Sequence, residues 1–172
     1  MTSPPAASEI AVSFYHAFSQ HDPEGGVRMI RPHAAFTDPV FGTLNAVQTA
    51  AMWRMLMGRA PEMTVSFELN RSGQAQPQPE VQTARGQWDA HYTLSQTGRP
   101  VHNVVQATMQ MRDGLIYRHT DIFDFWRWAR QALGLPGMLL GWTPALHRRV
   151  SGTALAGLQA SMDASSISGG EN

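Results

Sequence analysis

Apolar side chains at Ile10, Phe14, Ala17 and Phe18 recur in three- and four-residue steps, the period of one helix face, and predict an α-helix from Ala7 to Gln20 that ends at His21. Asp22 followed by Pro23 places a capping residue ahead of a proline in the first helical position, which signals a new helix start. This second helix is short: it carries Val27 and Ile30, stops before Pro32 and is weakened by Gly25 and Gly26. Thr37-Asp38-Pro39-Val40-Phe41-Gly42 has turn chemistry and reads as a connection between helices. Asn45 then caps a third helix with apolar surface from Val47, Ala50, Ala51, Trp53, Met55 and Met57, ending near Gly58 and Pro61.

From Met63 the pattern changes to strands: Met63 to Asn70, Val81 to Ser95, Val101 to Arg112 and Leu115 to Asp124, in meander order. A polar, Gln- and Pro-rich loop from Ser72 to Glu80 separates the first two, and Asp113-Gly114 is the strongest hairpin signal in the chain. Phe125 to Leu133 is expected to be helical, and the apolar segment Leu135 to Trp142 is broken by proline and glycine. Thr143-Pro144 starts a short basic stretch, Leu146 to Val150. Residues 151–172 are rich in Ser, Ala and Gly and are expected to form a flexible tail beyond a single domain over 1–150. Helices first and antiparallel strands afterwards argue for an α+β fold, with N-terminal helices packed on a curved antiparallel sheet around a pocket.

Composition narrows the function. A chain of 172 residues has room for one domain with a sizeable core. With 13 basic against 13 acidic residues the formal charge is zero, so no nucleic acid and no membrane partner is expected; a small apolar molecule is. The absence of cysteine removes thiolate nucleophiles, disulfides and Cys-based metal centres, and no metal-spacing motif appears, so neither metal nor cofactor is expected. The first ten residues lack the features of a signal peptide and no apolar run reaches transmembrane length, which makes a soluble cytoplasmic protein the expectation. Ten Met and five Trp suit an irregular apolar cavity, or equally an ordinary core.

Alternation on the last strand groups Tyr117, His119, Asp121 and Phe123 on one face. An imidazole and a carboxylate placed so can meet one ligand or each other; the alternative is a solvent-side pair at a sheet edge. On the preceding strand Val101, Asn103, Val105, Ala107, Met109 and Met111 share a face, apolar except for Asn103, whose amide must find a ligand or a structural hydrogen bond. Asp38, held extended by Pro39 and flanked by Phe36, Val40 and Phe41, is either a partly desolvated base or the anchor of an Asx turn. Trp53 is a candidate pocket wall.

The run Phe36-Thr37-Asp38-Pro39-Val40-Phe41-Gly42 between helices, and Asp113-Gly114-Leu115-Ile116-Tyr117-Arg118-His119-Thr120-Asp121 at the end of the sheet, resemble the ketosteroid isomerase and SnoaL-like polyketide cyclase superfamily, which has the nuclear transport factor 2-like fold. The resemblance spans roughly Glu9 to Asp124 and implies a cystatin-like, cone-shaped pocket. It also implies a general base at Asp38, an acid/base at Asp121 beside His119, and an oxyanion donor at Tyr15, the last only with a one-residue gap. Ala107 stands where ketosteroid isomerases carry a protonated acid, and no Arg-x-Asp pair of the limonene-type epoxide hydrolases occurs on the two middle strands. Taken with the strand faces read above, the candidate catalytic set is Asp38, Asp121 and His119, with Tyr15, Trp53, Asn103, Tyr117 and Phe123 as candidate ligand contacts. The implied activity is that of a cofactor-independent isomerase, cyclase or lyase; a non-catalytic binding module or a dimerisation module of the same fold is the alternative. A homodimer through the exposed sheet face is expected, with Phe125 to Trp142 closing the pocket or crossing to the partner.

Overall fold

The computed structural model describes residues 6–70 and 81–168. Two helices, α1 (Ala7–Ser19) and α2 (Pro23–Val27), lead into a hairpin of β1 (Ile30–Asp38) and β2 (Gly42–Asn45), followed by α3 (Ala46–Arg59). Then come β3 (Thr64–Leu69), β4 (Gln82–Leu94), β5 (Arg99–Arg112) and β6 (Leu115–Ile122), and finally α4 (Phe125–Leu133), α5 (Leu135–Leu140) and α6 (Pro144–Ser168). The strands form one curved sheet in the order β2-β1-β6-β5-β4-β3. The expected α+β architecture is what is found, and the loop expected at Ser72 to Glu80 falls outside the described residues. Among those residues no helix is long and apolar enough to cross a membrane.

Three features depart from the sequence reading. The segment through Ala34 and Phe36 is a nine-residue strand, and it joins β6 in parallel, so the sheet is not wholly antiparallel. Pro32 cannot donate to a ladder, and the pairing with β6 shifts register between Ile30 and Ala35. Local alternation is broken there. The second departure is the expected tail: α6 runs unbroken to Ser168, because Ala154, Leu158 and Met162 recur every fourth residue and pack on the core, with Leu158 fully buried. The third is a β-bulge in β6, where Met111 pairs with Ile116 but Gln110 pairs with Arg118. The extra residue, Tyr117, is turned away from the face shared by Ile116, His119 and Asp121.

The core lies between α1, α3 and the concave face of the sheet. Phe14, Tyr15 and Phe18 of α1 and Met52 and Trp53 of α3 meet Trp88, Val105, Ala107, Met109, Met111 and Ile116 of the strands. Asn45 caps α3 by accepting from the Gln48 amide at 2.9 Å while the Gln48 side chain accepts from the Asn45 amide at 3.0 Å, a reciprocal box that fixes where β2 stops. The Asp113-Gly114 turn has φ of 54° and 75°, the left-handed geometry that aligns β5 with β6 and so carries Asp121 to its place opposite Ala107.

Candidate active site

The concave face of the sheet, α3 and α6 enclose a cavity of about 570 Å³, a volume suited to a small molecule. Asp121 lines it from β6, Asp38 from the end of β1, Asn103 from β5, Trp88 from β4 and Trp53 from α3. Phe123, Trp128, Leu133 and Pro136 of the segment after β6 also line it, together with residues of α6. Exposed Arg59 and Arg149 are part of the same lining.

Asp121 and His119 are both 3% exposed. The His119 Nε2 lies 2.8 Å from Asp121 Oδ1 and 3.1 Å from the Tyr15 hydroxyl. An ionised carboxylate only accepts, so with Asp121 charged it is the imidazole that donates to it. Phe14 and Phe36 meet the imidazole edge-on, with centroids 5.5 and 5.0 Å away, so its orientation is fixed by packing as well as by hydrogen bonds. Tyr15 is stacked on Phe67 at 4.4 Å. Burial, and after it the negative charge of Asp121, push the Tyr15 phenol well above its usual range, with the Trp88 indole opposing. Tyr15 is therefore a neutral hydroxyl and not a base.

Asp38 satisfies both readings of the sequence. Its Oδ1 accepts from the Val40 and Phe41 amides at 3.0 and 2.6 Å, an Asx turn that closes the β1–β2 hairpin. The second oxygen takes no part in that turn, and the residue lines the cavity. Burial is the main influence on its acidity, opposed by the Phe41 amide; the charge of Asp121 pushes the same way as burial, and the Val40 amide and His119 push back. The result is a pKa raised to about 6. His147 of α6 donates to the Pro39 carbonyl and stacks on Phe125 at 4.3 Å, which ties the turn to the C-terminal helix.

The predicted residues thus fall into three layers. Asp38, Asp121, Asn103, Trp53 and Phe123 reach the cavity wall. Tyr15 and His119 stand behind Asp121, the histidine in contact with the carboxylate and Tyr15 in contact with the histidine. Tyr117 is corrected to the opposite face: its hydroxyl donates to Gln110 Oε1 at 3.2 Å and Arg112 lies over its ring at 5.2 Å, as the bulge requires. The Asn103 side chain makes no hydrogen bond among the described residues and is free for a ligand. Trp88 escaped the sequence reading, although Ala84, Trp88 and Ala90 lie at even spacings on β4 and are all buried. Among the described residues no group of three or more His, Cys, Asp or Glu side chains is arranged to hold a metal ion.

Helices packed on a curved sheet around a cavity define a ketosteroid isomerase-like fold, and solved structures share it. A ketosteroid isomerase-like protein from Erwinia carotovora atroseptica SCRI1043 superposes with a TM-score of 0.59 at 12% identity, over 69% of this chain and 93% of that one. IdmH from Streptomyces antibioticus, a candidate polyketide cyclase, does so at 0.57 and 23% identity, over 75% and 99%. A protein of this fold from Catenulispora acidiphila DSM 44928, solved in complex with trimethylamine, gives 0.58 and 17%, over 81% and 100%. The SnoaL-like domain family matches residues 11–119, and the chain belongs to that family. Comparison with curated proteins gives no match.

Proposed function

We propose that the chain is a cofactor-independent isomerase, cyclase or lyase acting on an apolar carbonyl compound, with Asp38 as the general base. The observation that carries this reading is a carboxylate with a pKa of about 6 in the same cavity as a second carboxylate that is hydrogen-bonded to a buried histidine. A base whose pKa lies near neutrality combines a high ionised fraction with useful proton affinity. Asp38 takes the proton from the carbon next to the carbonyl and the electron pair moves onto the carbonyl oxygen. The Asn103 amide donates to that oxygen. Protonated Asp38 then returns the proton to carbon, at the same position or at a second one within its reach, and is regenerated as the carboxylate. His119 and Tyr15 act through Asp121 as positioning residues, fixing the carboxylate in the wall. Ala107, directly opposite Asp121, offers no donor, so the oxyanion support differs from that of the ketosteroid isomerases.

The test is exchange of the α-protons of 2-tetralone in deuterated buffer, followed by NMR. The protein is expected to accelerate exchange above the buffer rate, with activity lost as pH falls through about 6. Binding of the ketone with no acceleration would identify the cavity instead as a non-catalytic binding module, the reading its mainly apolar lining favours. A second check is Asp121→Asn, whose amide oxygen still accepts from His119. Removing the Asp121 charge takes away one influence that raises the Asp38 pKa, so the acid limb of the profile is expected to move below that of the wild type. An unmoved limb would show that the charge of Asp121 does not reach Asp38.

A further inference from the structure

The C-terminal helices carry apolar surface and charge that this chemistry leaves unused. The α5 turn is built with its small residues inward. Gly137 and Gly141 are buried against α4, so close that a Cβ on Gly137 would stand 1.9 Å from the Ala129 carbonyl oxygen and one on Gly141 3.1 Å from the Ala129 Cβ. Outward lie Leu135, Met138 and Leu139 of α5, at the i, i+3 and i+4 spacing of one helix face, followed by Trp142 in the turn after the helix; they are 68%, 48%, 64% and 74% exposed. Trp126 of α4 extends the patch: its indole donates to the Met138 carbonyl at 3.2 Å, and Arg130 lies over its ring at 4.3 Å. A helix that meets its own protein through glycine and turns leucine and tryptophan to water has an apolar stripe left for another surface.

Charge indicates which surface. From Phe125 to Met162 the chain has four arginines, Arg127, Arg130, Arg148 and Arg149, and no aspartate or glutamate. All four are exposed. The whole chain sums to zero, so its neutrality conceals a basic pole, which the expectation of no membrane partner overlooked. A second copy docked here about a twofold axis would set arginine against arginine, with only Asp124, the cap of α4 that accepts from the Arg127 amide at 2.9 Å, to relieve them. An anionic bilayer surface instead supplies hydrocarbon for leucine, headgroup depth for the indole and phosphate for the guanidinium groups.

We propose that α4, α5 and the start of α6 form a docking surface for anionic lipid membranes, with Leu135, Leu139 and Trp142 inserted at the interface. The attachment is peripheral. Leu133, Pro136, Leu146 and Val150 of the same segment line the cavity, so a bilayer-dissolved apolar molecule would enter the site from the docked face. The proposal does not depend on proton transfer and is read without it.

Flotation of the full chain with vesicles of phosphatidylcholine, alone or containing phosphatidylglycerol, tests it. Binding to the anionic vesicles is expected to be at least about tenfold tighter than to the neutral ones, to weaken with added salt and to shift tryptophan emission to the blue. Leu139→Ser with Trp142→Ser is expected to abolish flotation, and Arg127→Gln with Arg148→Gln to remove only the preference for anionic lipid; circular dichroism checks that both variants stay folded. Absence of flotation on the anionic vesicles overturns the proposal, as does equal binding to both. A dimer in light scattering that Leu139→Ser with Trp142→Ser dissociates, without vesicle binding, would assign the face to a second copy of the chain.

Discussion

Asp38→Asn is expected to stabilise the protein and inactivate it at the same time. The folded-state pKa of Asp38 is about 6 against an ordinary value of 3.8. Between those two values the native state binds the proton more strongly than the unfolded chain, so stability falls as pH rises through that window. Above about pH 6 the whole cost of holding the buried carboxylate ionised is present, on the order of 2–3 kcal/mol at about 1.4 kcal/mol per pKa unit. Asparagine keeps an oxygen for the Val40 and Phe41 amides without the charge. Urea denaturation at pH 7 should therefore show the variant more stable by about 2–3 kcal/mol, with the gap closing below about pH 4. At pH 7, where the wild-type carboxylate is ionised, α-proton exchange should fall by about 10²–10⁴-fold, the usual contribution of a general base. A variant that loses stability at neutral pH would mean that the carboxylate is needed for the turn, and that burial does not control its acidity.

Such a residue, costly to the fold and kept in the cavity wall, is where local sequence reasoning has something to find. Asp-Pro between bulky apolar residues marked the turn, and alternation on β6 marked Asp121 and His119. Both readings rest on neighbours along the chain. What was not legible depends on distant partners. β1 has its ladder with β6, more than eighty residues further on, and Pro32 and Pro39 punctuate its sequence like a loop. Tyr117 was placed on the wrong face because a one-residue bulge reverses the alternation, and the bulge is set by pairing with Gln110 and Met111. Alternation also gives a side without a depth: His119 and Asp121 share a face, yet only Asp121 lines the large cavity, with His119 packed behind it between Phe14 and Phe36. The helical period of Ala154, Leu158 and Met162 was present in the sequence, but it was hidden among serines and glycines that suggested loss of structure.

The second large effect is expected at Phe14, the side chain that joins the fold to that hidden layer. It is fully buried. Its ring meets Tyr15, Phe18, Trp53 and His119 edge-on, with centroids 5.3, 4.7, 6.0 and 5.5 Å away. Phe14→Ala removes the ring from the junction of α1, α3 and the sheet, where rigid aromatic neighbours cannot collapse into the space, so the cost should lie at about 3–5 kcal/mol. Against a total stability of about 5–15 kcal/mol for a domain, the variant should be marginal at room temperature. Phe14→Leu keeps most of the apolar volume and should fold; because the imidazole loses its edge contact, Asp121 should be less firmly held and exchange activity should drop in molecules that remain native. Denaturant titration of the two variants with matched exchange rates separates these effects. A loss below about 1.5 kcal/mol for Phe14→Ala, the range of a volume-conserving swap, would show that α1 does not seal the back of the site, and the fixed geometry assigned to His119 would then have to come from Phe36 and its hydrogen bonds.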